Sequence, residues 1–195
     1  GAMLLFDYSI EHEKDFIDRE SEVLESLSEA AEYGDATAQS FLGHLYALGR
    51  GVPKDHPTAM KWLTKAAEQD NTNAMFTLGA YHETGTSVPL NKNKAAGLYR
   101  QAAEAGNPWA QDRLGYVIAY GQGVYPDVDE AIEWLKKAAD QGIENSRLTL
   151  GSLYWDTSSK RFDLEEAVRW WRPVMHKLER RNLRMSGAFF FWLRK

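Results

Sequence analysis

Apolar residues along the chain follow two alternating helical patterns. From about residue 36 to 48 they recur three or four residues apart, which predicts an amphipathic helix A; its apolar members are Ala38, Phe41, Leu42, Leu45 and Tyr46. Glycines at 49 and 51 then interrupt the pattern, because glycine reaches positive φ without steric penalty. After Asp55 a second amphipathic pattern predicts a helix B, with Ala59, Trp62, Leu63 and Ala66 on its apolar face.

This pair of patterns occurs four times with a fixed period of 36 residues. Three independent series keep the period: Leu-Gly at 42-43, 78-79, 114-115 and 150-151; Ala-Ala at 30-31, 66-67, 102-103 and 138-139; and Ala59, Ala95, Ala131 and Ala167. A period of this length is typical of stacked helical units that bury one another's apolar faces. The predicted fold class is therefore all-α: a right-handed α-solenoid of four helix–turn–helix repeats, with an extra N-terminal helix and a degenerate C-terminal capping helix.

The repeats also set the predicted boundaries. Residues 1–2 have the character of a remnant of an expression tag, residues 3–15 of an N-terminal tail, and residues 16–195 of a single solenoid. Within the solenoid we expect an orphan helix B at 16–34, repeats at 36–71, 72–107, 108–143 and 144–179, and a degenerate terminal helix at 180–195. Pro173 falls inside the last helix B, where it is expected to kink or stop the helix.

The most regular residues have a packing role. Gly43 in helix A and Ala59 in helix B offer almost no side chain, so the axes of the two helices can approach closely. The start of helix B carries Asp127 with Glu130, and Asp163 with Glu166, at the spacing of a capping box. These positions explain how the repeats are built, and we expect function elsewhere.

Composition and motifs exclude several kinds of chemistry. The 195 residues include no cysteine, which excludes disulfides, thiolate nucleophiles and cysteine-based zinc sites. A net charge of −5 argues against general nucleic-acid binding, and no stretch is apolar enough to span a membrane. The five histidines lack metal-ligand spacing, and the glycine-rich turns lack the lysine and hydroxyl of a phosphate loop. We therefore expect a cytoplasmic protein that is not an enzyme and that binds no metal or cofactor.

The repeat resembles the Sel1-like repeat, a relative of the tetratricopeptide repeat. The resemblance covers about residues 20–172 and rests, in the first copy, on Ala38, Leu42-Gly43, Tyr46, Gly49, Gly51-Val52, Asp55, Ala59, Trp62 and Lys65-Ala66-Ala67. It implies an adaptor that binds other proteins. The habits of the family also suggest a bacterial immunity or regulatory protein that holds one toxin or effector.

In such solenoids helix A lines the concave face, so the resemblance also indicates candidate partner-binding residues. Counting from each Leu-Gly pair selects His44, Phe76, Glu83, Trp109, Asp112, Tyr116, Tyr120, Trp155, Arg181, Arg184 and Trp192. The aromatic members are of the kind enriched at binding hot spots, although each could instead pack between repeats. The cations near the C-terminus would suit a carboxylate of the partner.

Two alternatives stay open at this stage. The aromatic run at 189–192, beside Arg194 and Lys195, could cap the core, or it could dock on a membrane interface or on a second subunit. The chain could accordingly be a membrane- or glycan-associated scaffold that uses this terminus or the aromatic groove. The sequence does not specify the oligomeric state.

Overall fold

The computed structural model describes residues 22–180, which form nine helices and no strand. This confirms the predicted all-α class built from helix–turn–helix repeats. The helices are α1 (22–32), α2 (Ala36–Leu48), α3 (His56–Ala67), α4 (Thr72–Thr84), α5 (Lys92–Glu104), α6 (Pro108–Ala119), α7 (Val128–Asp140), α8 (Glu144–Trp155) and α9 (Leu164–Arg180).

Helices A and B alternate along the chain. Helix A of the four copies is α2, α4, α6 and α8, and helix B is α3, α5, α7 and α9, with α1 in the place of an orphan helix B. The chain divides between Leu90 and Asn91 into two compact units. Within the described residues, the first unit holds α1–α4 and the second holds α5–α9.

Side-chain caps start most of the helices, at the same period as the repeat. Asp35 accepts a hydrogen bond from the backbone N–H of Ala38, and Asn71 and Asn107 make the equivalent bond at the next two helices A. Helix B starts in the same way at Asp55, Asn91, Asp127 and Asp163. Each cap satisfies backbone donors that the first helical turn leaves without partners.

The close approach of helix A to helix B is confirmed in both units. A Cβ added to Gly43 would lie 2.7 Å from Leu63 Cγ and 3.2 Å from the carbonyl oxygen of Ala59. At Gly115 the corresponding distances to Leu135 and Ala131 are 2.6 and 3.1 Å. The alanines and leucines of these contacts are fully buried, so each unit has an apolar core with its helices in near contact.

Glutamines join successive repeats inside each unit. The Nε2 of Gln39 donates to the carbonyl of Ala31 at 2.9 Å, and its Oε1 accepts from Gln69 at 2.8 Å. The second unit repeats this arrangement with Gln111, Ala103 and Gln141. Both central glutamines are buried, and these bonds satisfy their polar groups.

Three local expectations need correction. Phe41 was expected on the apolar face of helix A, but it is 62% exposed because it lies opposite the contact with α3. Pro173 does not stop its helix, since α9 continues to Arg180. The capping boxes are half formed: the aspartates cap, but Glu130 bonds Arg100 and Trp134, and Glu166 bonds Arg169, instead of the helix start.

Candidate partner-binding surface

In the unit of residues 91–180, the candidate residues gather on two neighbouring helices A. Asp112, Tyr116 and Tyr120 follow one another at helical spacing along α6, and Trp109 stands in its first turn. Trp155 ends α8, which lies beside α6. We call this surface the α6–α8 face and define it by Trp109, Asp112, Tyr116, Tyr120, Leu148, Trp155 and Asp156.

Large aromatic side chains of this face are open to solvent. Trp109 is 55% exposed, Tyr120 50% and Trp155 42%. Tyr116 is half-buried, and its ring centroid lies 4.7 Å from that of Tyr120. Exposed aromatic rings that are packed on one side against the protein resemble the aromatic anchors of binding interfaces.

Part of the face is held in place by the core beneath it. The ring of Trp155 lies 5.7 Å from that of Trp171, a largely buried residue of α9. The Nε1 of Trp171 donates to the backbone carbonyl of Leu148 at 3.1 Å. These contacts fix the exposed rings on a rigid support, which lowers the entropy lost on binding.

Asp112 is the charged residue with the most unusual environment on this face. Its Oδ1 accepts a 2.5 Å hydrogen bond from the Oγ of Ser146, a fully buried residue of α8. Burial raises the pKa of the Asp112 carboxyl above its usual range, and the Ser146 hydrogen bond and Arg113 oppose this only in part. A perturbed carboxyl among exposed aromatics is a feature of functional surfaces.

Asp156 provides a second carboxylate next to Tyr120. Hydrogen bonds from the Oγ and N–H of Ser158 lower the pKa of Asp156, so this carboxylate is ionised at neutral pH. Burial raises the pKa of Tyr120, and Tyr116 and Asp156 raise it further. The face therefore combines the neutral phenol of Tyr120 with acidic groups. The guanidinium of Arg113 lies 4.9 Å from the Tyr116 ring centroid.

The candidates in the unit of residues 22–90 have a different setting. The Nδ1 of His44 lies 2.6 Å from the carbonyl oxygen of Ser40, and its Nε2 lies 2.9 Å from the Oγ1 of Thr77. His44 thus links α2 to α4, which is a structural role. Phe76 and Glu83 are half-buried on α4. The other three candidates, Arg181, Arg184 and Trp192, lie outside the described residues, as does the aromatic run at 189–192.

Sequence reasoning missed Ser146, although the repeat contained a signal. Positions 38, 74 and 110 are all buried alanines, and the same position of the fourth copy is Ser146. A hydroxyl in a series of buried methyl groups indicates that a polar group nearby needs a hydrogen bond. That group is the carboxylate of Asp112.

Residues 22–180 also bear on metal binding and on membrane insertion. No group of histidine and acidic side chains there has the geometry to hold a metal ion. No helix in that part of the chain is long and apolar enough to cross a membrane.

Solved structures with the same fold include several repeat proteins of bacteria. A protective antigen of uropathogenic Escherichia coli with an SLR fold is 35% identical (TM-score 0.74), over 79% of this chain and 33% of that one. A Sel1 repeat protein of Oxalobacter formigenes is 34% identical (TM-score 0.73), over 80% and 64%. An immunity protein of Pseudomonas aeruginosa is 25% identical (TM-score 0.53), over 77% and 55%.

The present chain thus spans about a third of the first of these proteins and under two thirds of the second. Among curated proteins, none is significantly similar to it. The sequence model of the Sel1 repeat matches residues 36–71, 72–107, 110–143 and 150–173, which is more than half of the chain. The chain therefore belongs to the Sel1 repeat family.

Proposed function

We propose that the chain is a non-enzymatic interaction module that binds an extended segment of a partner protein on the α6–α8 face. Sel1 repeats generally mediate protein–protein interactions, which supports this class of function. The observation that supports this particular face is the exposure of Trp109, Tyr120 and Trp155 on two adjacent helices A. Trp and Tyr in such positions supply most of the binding energy in many interfaces.

Helix α7, the helix B that pairs with α6, presents charged rather than aromatic side chains to solvent. The exposed positions of α7 include Glu133, Lys136, Lys137 and Asp140, which are charged side chains suited to solvent. Its apolar residues Ile132 and Leu135 are buried in the core with Leu150. Because interface centres are poor in charged residues, the helix A side is the better docking surface.

The experiment uses peptides as defined probes. A random dodecapeptide library displayed on phage is selected against the full chain, and the dissociation constants of the selected peptides are measured by isothermal titration calorimetry. We expect the double variant Trp109→Ala/Tyr120→Ala to raise the dissociation constant about tenfold or more, since each ring is a candidate hot spot.

The matched control removes two exposed tyrosines that lie off this face. Tyr33 and Tyr125 are more exposed than either target residue. We expect Tyr33→Ala/Tyr125→Ala to leave the dissociation constants within about twofold. Failure to select any peptide, or equal losses in the two double variants, would contradict the proposal.

A toxin-neutralising role is a finer form of the same proposal. Its support is the likeness to the Pseudomonas aeruginosa immunity protein, at 25% identity. If the role applies, co-expression of the chain should restore growth to cells that express a toxin encoded beside its gene. The Trp109→Ala/Tyr120→Ala variant should not restore growth at equal expression, and equal rescue by both proteins would count against this face.

A further inference from the structure

We infer that the α6–α8 face recognises a cationic side chain, lysine or arginine, of the partner segment, and that the carboxylate of Asp112 receives it. This inference rests on the function proposed above and adds the chemistry of the ligand. It depends on three properties of the face: a carboxylate, Asp112, that forms no salt bridge within residues 22–180, aromatic rings beside it, and cations of the same unit that are bound to other groups.

The carboxylate of Asp112 has few hydrogen-bond and ion-pair partners for its degree of burial. An ionised carboxylate can accept about four hydrogen bonds, but within residues 22–180 the Asp112 carboxylate accepts one, from Ser146. No side chain of the described chain forms a salt bridge with it, and the attraction of the neighbouring Arg113 leaves its pKa raised. A cation placed against its open oxygen would remove this cost, because an opposite charge within hydrogen-bonding distance favours the ionised form.

Asp156 adds a second negative charge to the face, at the C-terminal end of α8 and about 15 Å along that helix from Ser146. Its hydrogen bonds from Ser158 keep it ionised, and its charge acts on the phenol of Tyr120. The rings of Tyr116 and Tyr120 thus stand between the α6 turn that carries Asp112 and the end of α8 that carries Asp156. Aromatic faces attract cations, and the guanidinium of Arg113 over the Tyr116 ring is an example within the chain itself.

Four cations of residues 91–180 are bound to groups other than Asp112. Arg147 donates to the carbonyl of Ala139, Arg161 pairs with Asp129, and Lys177 pairs with Glu144. Arg100 is held by Glu130 on the helix B side. Among residues 22–180, no cation forms a salt bridge with Asp112, although Arg113 lies next to it in sequence. By charge complementarity the ligand of this carboxylate is basic, because like charges juxtaposed across an interface oppose binding.

The test selects the dodecapeptide library separately on the wild type and on the variant Asp112→Asn. Asparagine keeps the size of the side chain and its acceptor for Ser146 but removes the charge. We expect lysine or arginine at one fixed position of the wild-type peptides, and no such preference in the peptides selected on the variant. Asp140→Asn makes the same charge change on the exposed side of α7 and should select the wild-type motif.

A double-mutant cycle then measures the contact directly. Replacing the fixed lysine by norleucine should weaken binding to the wild type and to Asp140→Asn about tenfold, and to Asp112→Asn less than about threefold. An equal loss on all three proteins, or wild-type peptides without a fixed cation, would overturn the inference. If those peptides still depend on Trp109 and Tyr120, the proposed function stands and only the cationic ligand fails. If no peptide binds, both fail.

Discussion

The Oγ of Ser146 donates a 2.5 Å hydrogen bond to the Oδ1 of Asp112, and this bond joins helix A of the third repeat to helix A of the fourth. Ser146 is fully buried, and Asp112 is half-buried on an otherwise aromatic surface. The hydroxyl compensates the carboxylate only in part, since the pKa of Asp112 stays raised. A partly buried carboxylate with a single hydrogen bond lowers the stability of the fold. We therefore expect Asp112 to have a role in binding rather than in folding.

The first prediction concerns the stability of the variant Asp112→Asn. Because the pKa of Asp112 is raised on folding, the native state binds this proton more tightly than the unfolded state does. The carboxyl therefore favours folding least above its folded pKa and progressively more as the pH falls through that value toward the unfolded value of about 3.9. At pH 7 we expect Asp112→Asn to be at least as stable as the wild type.

Urea unfolding of both proteins at pH 7 and at about pH 4 checks this sign. The free energy of unfolding of the variant minus that of the wild type should fall as the pH is lowered. Asp140→Asn, whose side chain is exposed, should show a small difference at both pH values. A variant less stable than the wild type by more than about 1 kcal/mol at pH 7 would make Asp112 a structural residue, the typical value of a net hydrogen bond being of that size.

The second prediction concerns Glu130, whose contribution to stability depends on pH in the direction opposite to that of Asp112. Glu130 accepts hydrogen bonds from the Nη1 of Arg100 at 2.6 Å and from the Nε1 of Trp134 at 3.2 Å. The bond from Arg100 is the largest cause of its lowered pKa. A lowered folded pKa contributes stability above the unfolded value of about 4.3, and this stability is lost as the pH falls through the folded value.

Glu130→Gln should therefore be less stable than the wild type at pH 7, by up to about 1 kcal/mol because the pair is partly exposed. The difference should shrink at about pH 3, where the wild type also loses the charge. Glu133→Gln changes an exposed glutamate of the same helix and should have little effect at either pH. A Glu130→Gln deficit that stayed constant with pH would show that packing, not charge, is lost.

Much of the fold could be predicted because the residues that pack the repeats recur in the sequence every 36 residues. Gly43 and Gly115 stand where a Cβ would collide with a leucine of helix B, so the packing itself requires the glycine. The caps at Asp35, Asn71 and Asn107 keep the same 36-residue period, but the residue changes from Asp to Asn and the fourth copy has Ile143, so they form no exact repeat in the sequence. The paired glutamines at 39 and 111 were overlooked because they recur in every second copy.

The residues of the candidate surface were harder to predict from the sequence than the fold. Offsets from Leu-Gly place a residue on a side of helix A, but they do not say which neighbour the side chain contacts. His44 and Trp109 were selected by the same rule; the structure joins His44 to Thr77 and leaves Trp109 open to solvent. Whether such a residue is buried depends on the side chain that faces it from the next repeat, and that side chain differs between the four copies.

The third prediction compares two glycines inside helices, Gly115 of the Leu-Gly series and Gly97, which lies outside that series. Gly115→Ala places a Cβ 2.6 Å from the Cγ of Leu135 and 3.1 Å from a backbone oxygen, so we expect a loss of about 1–3 kcal/mol from overpacking. Gly97 is an exposed residue of α5 with no atom within 4 Å of an added Cβ. Gly97→Ala should raise the free energy of unfolding by about 0.5–1 kcal/mol, the usual difference between the two residues inside a helix. Urea unfolding of the two variants should therefore give changes of opposite sign, and equal changes would refute the close-packing argument.

The fourth prediction concerns Pro173, which lies on the exposed side of α9 and interrupts its ladder of hydrogen bonds. Proline has no N–H to donate to the carbonyl of Arg169, and its ring strains the preceding turn. Yet Trp171, Val174 and Met175 on either side of it are buried, which keeps the helix packed across the interruption. We expect Pro173→Ala to restore the bond and to raise the free energy of unfolding by about 1–3 kcal/mol.

Arg172→Ala, one residue earlier and also exposed, should change the free energy of unfolding by less than about 0.5 kcal/mol. If Pro173→Ala instead lowers the free energy of unfolding, the buried residues on the two sides of the proline depend on a bend that only proline supplies, and the prediction is wrong.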